Sequence, residues 1–350
     1  MKKKSHIRFY ICLLLPVVTV ALAVVIFDPF FHYHKPLNGL SYTLSEERYQ
    51  NDGILKRFDY QAMLTGSSLT QNFKTSDVKR LWGYDAVKTP YANATLRESA
   101  FAMETALKNN KDLKMTIFDL NVTRINEESD NLAYEDMPTY MYDRNPFNDY
   151  DYLFNEGVIT MMGRNLLKQL KHEPSTSFDE YSNWTEGKVF GKDAIIAYEP
   201  RLPKGVYKDK ELTEEDLQRI KENLERNIIA HAKAYPGVEF YAFVPPRSVI
   251  FWDALDRTES IDRTIDMLEY AFKLLTEVPN IRLYAYDDMT GITTDLDNYM
   301  DSQHYSEEIS SLLLEYMATD VGRITADNMD DYLDRIREIY TNYDYDSIFE

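Results

Sequence analysis

The stretch Tyr60-Gln61-Ala62-Met63-Leu64-Thr65-Gly66-Ser67-Ser68-Leu69-Thr70 decides how this chain is read. A largely apolar run from Tyr60 to Leu64 ends in a glycine and two serines, the pattern of a buried strand entering a tight turn. Ser68 then lies on the turn that follows the strand. A serine hydroxyl is a weak nucleophile unless a neighbouring base takes its proton and a carboxylate orients that base. Far along the chain, Asp301-Ser302-Gln303-His304 supplies both groups, because an Asp three residues before a His can orient the ring within one turn. Ser68, His304 and Asp301 are therefore the candidate nucleophile, general base and orienting acid. The fold has only to bring the first to the other two.

Outward from that stretch, strand and helix patterns alternate. Strands are expected at Tyr60–Leu64, Ala86–Thr89, Lys114–Leu120, Val238–Val244 and Ile281–Ala285. Helices are expected at Ser76–Leu81, Leu96–Lys108, Ser260–Leu275, Glu307–Ala318 and about Asp327–Ile339, with a long one N-capped by Thr213 and Asp216. This alternation predicts an α/β fold, a three-layer α/β/α domain around a mostly parallel central sheet. Ligands of such sheets bind beyond the carboxyl ends of the strands, and Ser68, Asn121 and Pro245 all closely follow predicted strands. Residues from about 126 to 210 are rich in Tyr, Asn, Asp and Pro, with one helix expected around Val158–Leu170. They read as an insertion or lid, since structureless loops this long are uncommon in a compact domain.

The amino-terminal segment Phe9–Phe27 is almost wholly apolar and follows Lys2, Lys3, Lys4 and Arg8. Nineteen helical residues reach roughly 28 Å, close to a bilayer's hydrocarbon thickness. The expected layout is a cytoplasmic tail (1–8), a transmembrane signal-anchor (9–27), an irregular stalk (28–58) and an extracytoplasmic domain (59–345). A cleavable signal peptide is the alternative. Ala21-Leu22-Ala23 has the spacing for it, but the apolar run continues through Phe27.

The net charge of −19 excludes nucleic acid as a partner and argues against a chain lying flat on anionic lipid. The single cysteine, Cys12, falls inside the apolar segment, so the exported part is expected to fold without disulfides, as suits a bacterial envelope. No cofactor or metal is expected. His32 and His34 form the only close histidine pair and lack a carboxylate cluster, and Asp287-Asp288 lacks the glycine and spacing of a calcium loop.

The residues quoted above, taken in order, resemble the SGNH (GDSL-type) hydrolase superfamily, whose four blocks contribute Ser, Gly, Asn and an Asp-x-x-His pair. More closely, the chain resembles membrane-anchored SGNH-like proteins of bacterial envelopes, of the type serving teichoic-acid D-alanylation or alginate O-acetylation. The likeness spans about residues 59–320 and is strongest at Gly66-Ser67-Ser68 and Asp301–His304. Ser67 replaces the first block's Asp, Tyr91-Ala92-Asn93-Ala94-Thr95 matches the second block without its glycine, and Asp119-Leu120-Asn121 stands for the third.

The resemblance implies an oxyanion hole from the Ser68 N–H, Asn121 and Asn93, although Asn121 reads equally as a helix or turn cap. It implies a membrane-anchored serine esterase or O-acyltransferase acting on acyl esters of a cell-envelope polysaccharide through an acyl-Ser68 intermediate. A membrane-bound acyltransferase would be a further partner. The alternative is a catalytically weak accessory protein that binds the polymer or that acyltransferase.

Overall fold

The computed structural model describes residues 2–134, 137–143, 145–205 and 211–349. Six strands form one sheet: β1 (Ala62–Gly66), β2 (Ala86–Pro90), β3 (Met115–Asp119), β4 (Glu239–Val244), β5 (Ile281–Ala285) and β6 (Arg323–Ile324). Their order is β2-β1-β3-β4-β5-β6, with β1 to β5 parallel and the short β6 antiparallel to β5. Every residue of β1 and β3 is buried, as a parallel sheet covered on both faces requires. The helices Glu47–Arg57, Leu96–Asn109, Glu214–Leu224 and Ile261–Thr276 form one covering layer. Thr75–Trp82 and Glu307–Ala318 pack together on the other face. The architecture is the three-layer α/β/α arrangement.

Local chemistry sets several boundaries. Thr95 and Glu98 form a reciprocal capping box at the start of Leu96–Asn109, and Thr213 with Asp216 does the same for Glu214–Leu224. Gly83 adopts the left-handed conformation that ends Thr75–Trp82. The chain runs from β1 outward to β2, then returns past β1 to β3 on its other side. That reversal opens a crevice at the carboxyl ends of β1 and β3, the usual ligand position in an open α/β sheet.

Two expectations need correction. The stretch 28–58 is not an irregular stalk, because Glu47–Arg57 is a helix with Gln50, Asn51, Asp52, Gly53, Ile54 and Leu55 buried in the domain. Much of that burial is polar, which is why hydrophobic periodicity does not reveal it. Gln50 donates to Pro29 O and Thr43 O, and Asn51 donates to Pro90 O while accepting from the Tyr181 hydroxyl. Gly53 packs so closely that a Cβ there would lie 2.1 Å from Phe30 O. The region 126–210 also holds more structure than one helix. It contains Thr139–Tyr142, Tyr150–Leu153, Glu156–Leu170 and Lys192–Tyr198, while 135, 136, 144 and 206–210 lie outside the described residues.

The amino-terminal helix runs Lys2–Phe27, and its portion Arg8–Phe27 is long and apolar enough to cross a membrane. Its last turn is embedded in the domain. Val24 is fully buried among Phe30, Met141, Tyr152, Val158 and Met161. Just beyond, the buried Asp28 carboxylate accepts from the backbone N–H groups of His32, Tyr33 and His34 and from the Tyr152 hydroxyl.

Candidate active site

β1 ends at Gly66, whose φ of +123° is a conformation side chains rarely adopt. A Cβ at this position would lie 2.2 Å from Asp119 Oδ1. That proximity is used: the Asp119 carboxylate, at the end of β3, accepts from Ser67 N (2.6 Å) and Ser67 Oγ (2.7 Å). Burial pushes the Asp119 carboxyl up from its ordinary value, and the two Ser67 bonds oppose the shift. Asp119 therefore clamps the turn rather than orienting His304. A serine suits position 67, since an Asp there would place a second carboxylate against Asp119. The clamped turn projects Ser68, the first residue of a 3-10 turn through Thr70.

The other half of the site is the loop between Tyr299 and Tyr305, closed by an antiparallel bridge between those two residues. Met300 N donates to His304 O (3.0 Å) across it. Its position is fixed from two sides. The Tyr305 hydroxyl donates to Leu69 O (2.7 Å), beside Ser68, and the Tyr299 hydroxyl donates to Pro246 O (3.0 Å). Ser248 donates to Ser302 O from both N (3.1 Å) and Oγ (2.9 Å). The segment Pro245–Ser248 after β4 thus supports the histidine loop from behind.

Across this junction, Ser68 Oγ lies 2.7 Å from His304 Nε2. His304 Nδ1 lies 2.7 Å from Asp301 Oδ2. With the proton on Nδ1, the ring donates to Asp301 and accepts from Ser68. The other Asp301 oxygen accepts from Gln303 N (2.9 Å) and His304 N (2.8 Å). Burial draws the Asp301 carboxyl up, but the His304 bond and charge and the two backbone amides outweigh it and hold the group below its ordinary value. The three groups form one continuous hydrogen-bonded chain at the crevice between β1 and β3.

The hydroxyl faces an open cleft of roughly 360 Å³, lined among others by Asn93, Asn121, Arg124 and Gln303. Asn121 Oδ1 accepts from Thr123 N (3.1 Å) and Thr123 Oγ1 (2.8 Å), capping the helical turn Val122–Ile125. Its Nδ2 is not spent on that cap, so capping and donation into the cleft are compatible. Asn93 sits at φ +58° with its side-chain oxygen held by the Arg124 guanidinium. The Ser68 N–H opens the 3-10 turn and is not consumed by the turn's own bonds. Among the described residues, no group of three or more His, Cys, Asp or Glu side chains is placed to hold a metal ion.

Two contributors escape the sequence reading. Trp184, in the insertion, donates from Nε1 to Ser68 O (3.2 Å) and sets its ring edge-on to His304, 5.4 Å between centroids at 88°. Arg124 crosses the cleft rim, joining Asn93 to Glu127. Neither carries a local signal. Being one of only three tryptophans, in an otherwise polar loop, was the one hint for Trp184.

No family model matches the chain, and no curated protein matches it. Among solved structures it is similar to one described as "a putative platelet activating factor from Streptococcus pneumonia". That likeness covers 82% of this chain and 90% of the other at 10% identity, with a TM-score of 0.39.

Proposed function

We propose that this protein is an SGNH-type serine esterase or O-acyltransferase held at a bacterial cell membrane by its amino-terminal helix. The observation that supports it best is the unbroken hydrogen-bonded chain Ser68–His304–Asp301, built from residues 236 apart in sequence at the sheet's topological switch. A serine hydroxyl, an imidazole and a carboxylate in that relay are what nucleophilic acyl transfer needs. Ser68 Oγ attacks the acyl carbonyl carbon as His304 Nε2 takes its proton. The tetrahedral oxyanion is met by the Ser68 N–H and Asn121 Nδ2. Collapse breaks the ester C–O bond, and His304 returns the proton to the departing alcohol. Water or an acceptor hydroxyl then reverses the steps on the acyl-Ser68 ester, with Asp301 holding the imidazole tautomer throughout.

A cell-envelope polysaccharide is the acceptor or acyl carrier we favour. The cleft is lined by amides, hydroxyls and a guanidinium, and the apolar helix would hold the domain against the envelope. A membrane-bound acyltransferase as acyl donor belongs to the same reading. The second reading, a non-catalytic accessory protein, draws on Asn93, whose side-chain oxygen is taken by Arg124 where a glycine block would leave a free backbone. Turnover of 4-nitrophenyl acetate by the detergent-solubilised full chain separates the two. The enzyme reading expects hydrolysis that falls at least about 10³-fold in Ser68→Ala. Equal rates in both proteins, with polysaccharide binding retained, would leave the accessory role standing.

A further inference from the structure

Exposed apolar side chains are concentrated in one part of the domain. Outside the amino-terminal helix, seven of the twelve exposed large hydrophobic residues among those described fall between 147 and 170. The helix Glu156–Leu170 is two-faced in an unusual sense. It meets the domain through Val158 and Met161, then through polar bonds: Asn165 Oδ1 accepts from Thr43 N and Gln169 Oε1 from Ser41 N. Its exposed side carries a second apolar stripe beside Glu156, Thr160 and Arg164. Ile159, Leu166 and Leu170 fall on one stripe at helical spacing, with the half-buried Met162 between them and Leu167 at the edge. Leu170 is 76% exposed, and Phe147, just ahead of the turn Tyr150–Leu153, is 88% exposed. A water-facing stripe of this kind on a soluble domain marks a docking surface.

The connection to the amino-terminal helix says what covers it. That helix ends inside the same local cluster, with Val24 packed on Val158, Met161 and Tyr152. The Asp28 carboxylate then ties three backbone amides to the Tyr152 hydroxyl, and Asp149 pairs with His32 and accepts from the Tyr33 hydroxyl. A span joined this firmly cannot place its exit far from Tyr150–Leu170. Charge agrees with a lipid surface. Residues 157–172 carry Arg164, Lys168 and Lys171 and no acid, within a chain of net charge −19. The acids between 147 and 170, Asp149, Asp151 and Glu156, stand at the amino-terminal side of that stretch, and Asp149 is engaged by His32 and Tyr33. Basic residues flanking an apolar helical stripe, with aromatics nearby, are the pattern of a helix lying in a bilayer interface.

We propose that the segment Phe147–Leu170 is a membrane seat: the outward stripe of Glu156–Leu170 beds into the lipid interface at the point where the amino-terminal helix leaves the bilayer. The inference rests on the reading of that helix as an anchor. The stripe holds the domain in one orientation on the surface, while the strongly acidic remainder is kept off anionic lipid.

Full-length protein in phosphatidylglycerol-containing vesicles tests it through single fluorescent labels. Native Cys12 reports on the anchor, since it is the chain's only cysteine. In a Cys12→Ser background, Ile159→Cys, Leu166→Cys or Leu170→Cys reports on the stripe, and Val321→Cys on a distant exposed site. The expected result is quenching of the stripe labels by nitroxide-bearing lipid, several-fold above the position-321 label, with protection from aqueous iodide. Stripe labels as open to iodide as position 321, with Cys12 quenched by lipid, overturn the seat and leave the anchor intact. Stripe labels shielded from both quenchers show that protein covers the face, which also overturns it. Cys12 open to iodide removes the anchor and the seat together.

Discussion

Asp301 carries a burden larger than its size. It accepts three hydrogen bonds from His304 and Gln303 while almost fully buried, and its carboxyl is held below the ordinary value of 3.8. A depressed folded pKa contributes stability that is complete above the unfolded value and is lost as pH falls through the folded one. Asp301→Asn should therefore lose less stability than the parent as pH drops below 3.8, measured by thermal melts across the acid range. The same change should cost about 10⁴-fold in ester turnover at neutral pH, because the amide no longer holds the productive tautomer. An unchanged rate would remove Asp301 from the relay. Gly66 sets the position of Ser68 by another route. Gly66→Ala meets Asp119 Oδ1 in a backbone conformation hostile to side chains, and should lower stability by about 3 kcal/mol or more in denaturant titrations. Ser68, His304 and Asp301 stood out as candidates because each lies in a short pattern with its own chemical logic, and the fold does bring the three side chains together. Asp119 did not, since its clamp on Ser67 exists only through the pairing of β1 with β3.

The strands were the most legible elements. Ile281–Ala285 matches its expected limits, and the other long strands differ by only a few residues, because buried parallel strands leave continuous apolar runs. Helices that bury polar faces escaped, as Glu47–Arg57 shows. Val249–Arg257 escaped too, starting within a few residues of Pro245-Pro246, the pair at which the preceding strand ends. On β2 the sequence conceals a fully buried lysine. Lys88 Nζ donates to Gln71 O (2.6 Å) and Asp179 O (3.2 Å), and burial pulls its pKa from 10.5 down to about 7. The unfolded chain holds this proton up to about 10.5 while the folded one releases it from about 7, so stability should climb with pH across that window. Lys88→Met should flatten the climb in urea midpoints measured at both ends of the window. An equally steep rise in the variant would show that the slope arises elsewhere.

The molecule as a whole joins an apolar helix to an α/β body through a buried carboxylate rather than a loose tether, a feature composition alone did not disclose. Its reversal of strand order between β1 and β3 makes a crevice, and the chain's two widely separated reactive patterns meet there. The catalytic account stands on that meeting. The most direct measurement is to treat the detergent-solubilised full chain with a fluorophosphonate and locate the adduct by peptide mass spectrometry. The account predicts one phosphonylated residue, Ser68, with the adduct lost in His304→Ala while the fold is retained. An adduct on another serine, or none on folded protein, would contradict it.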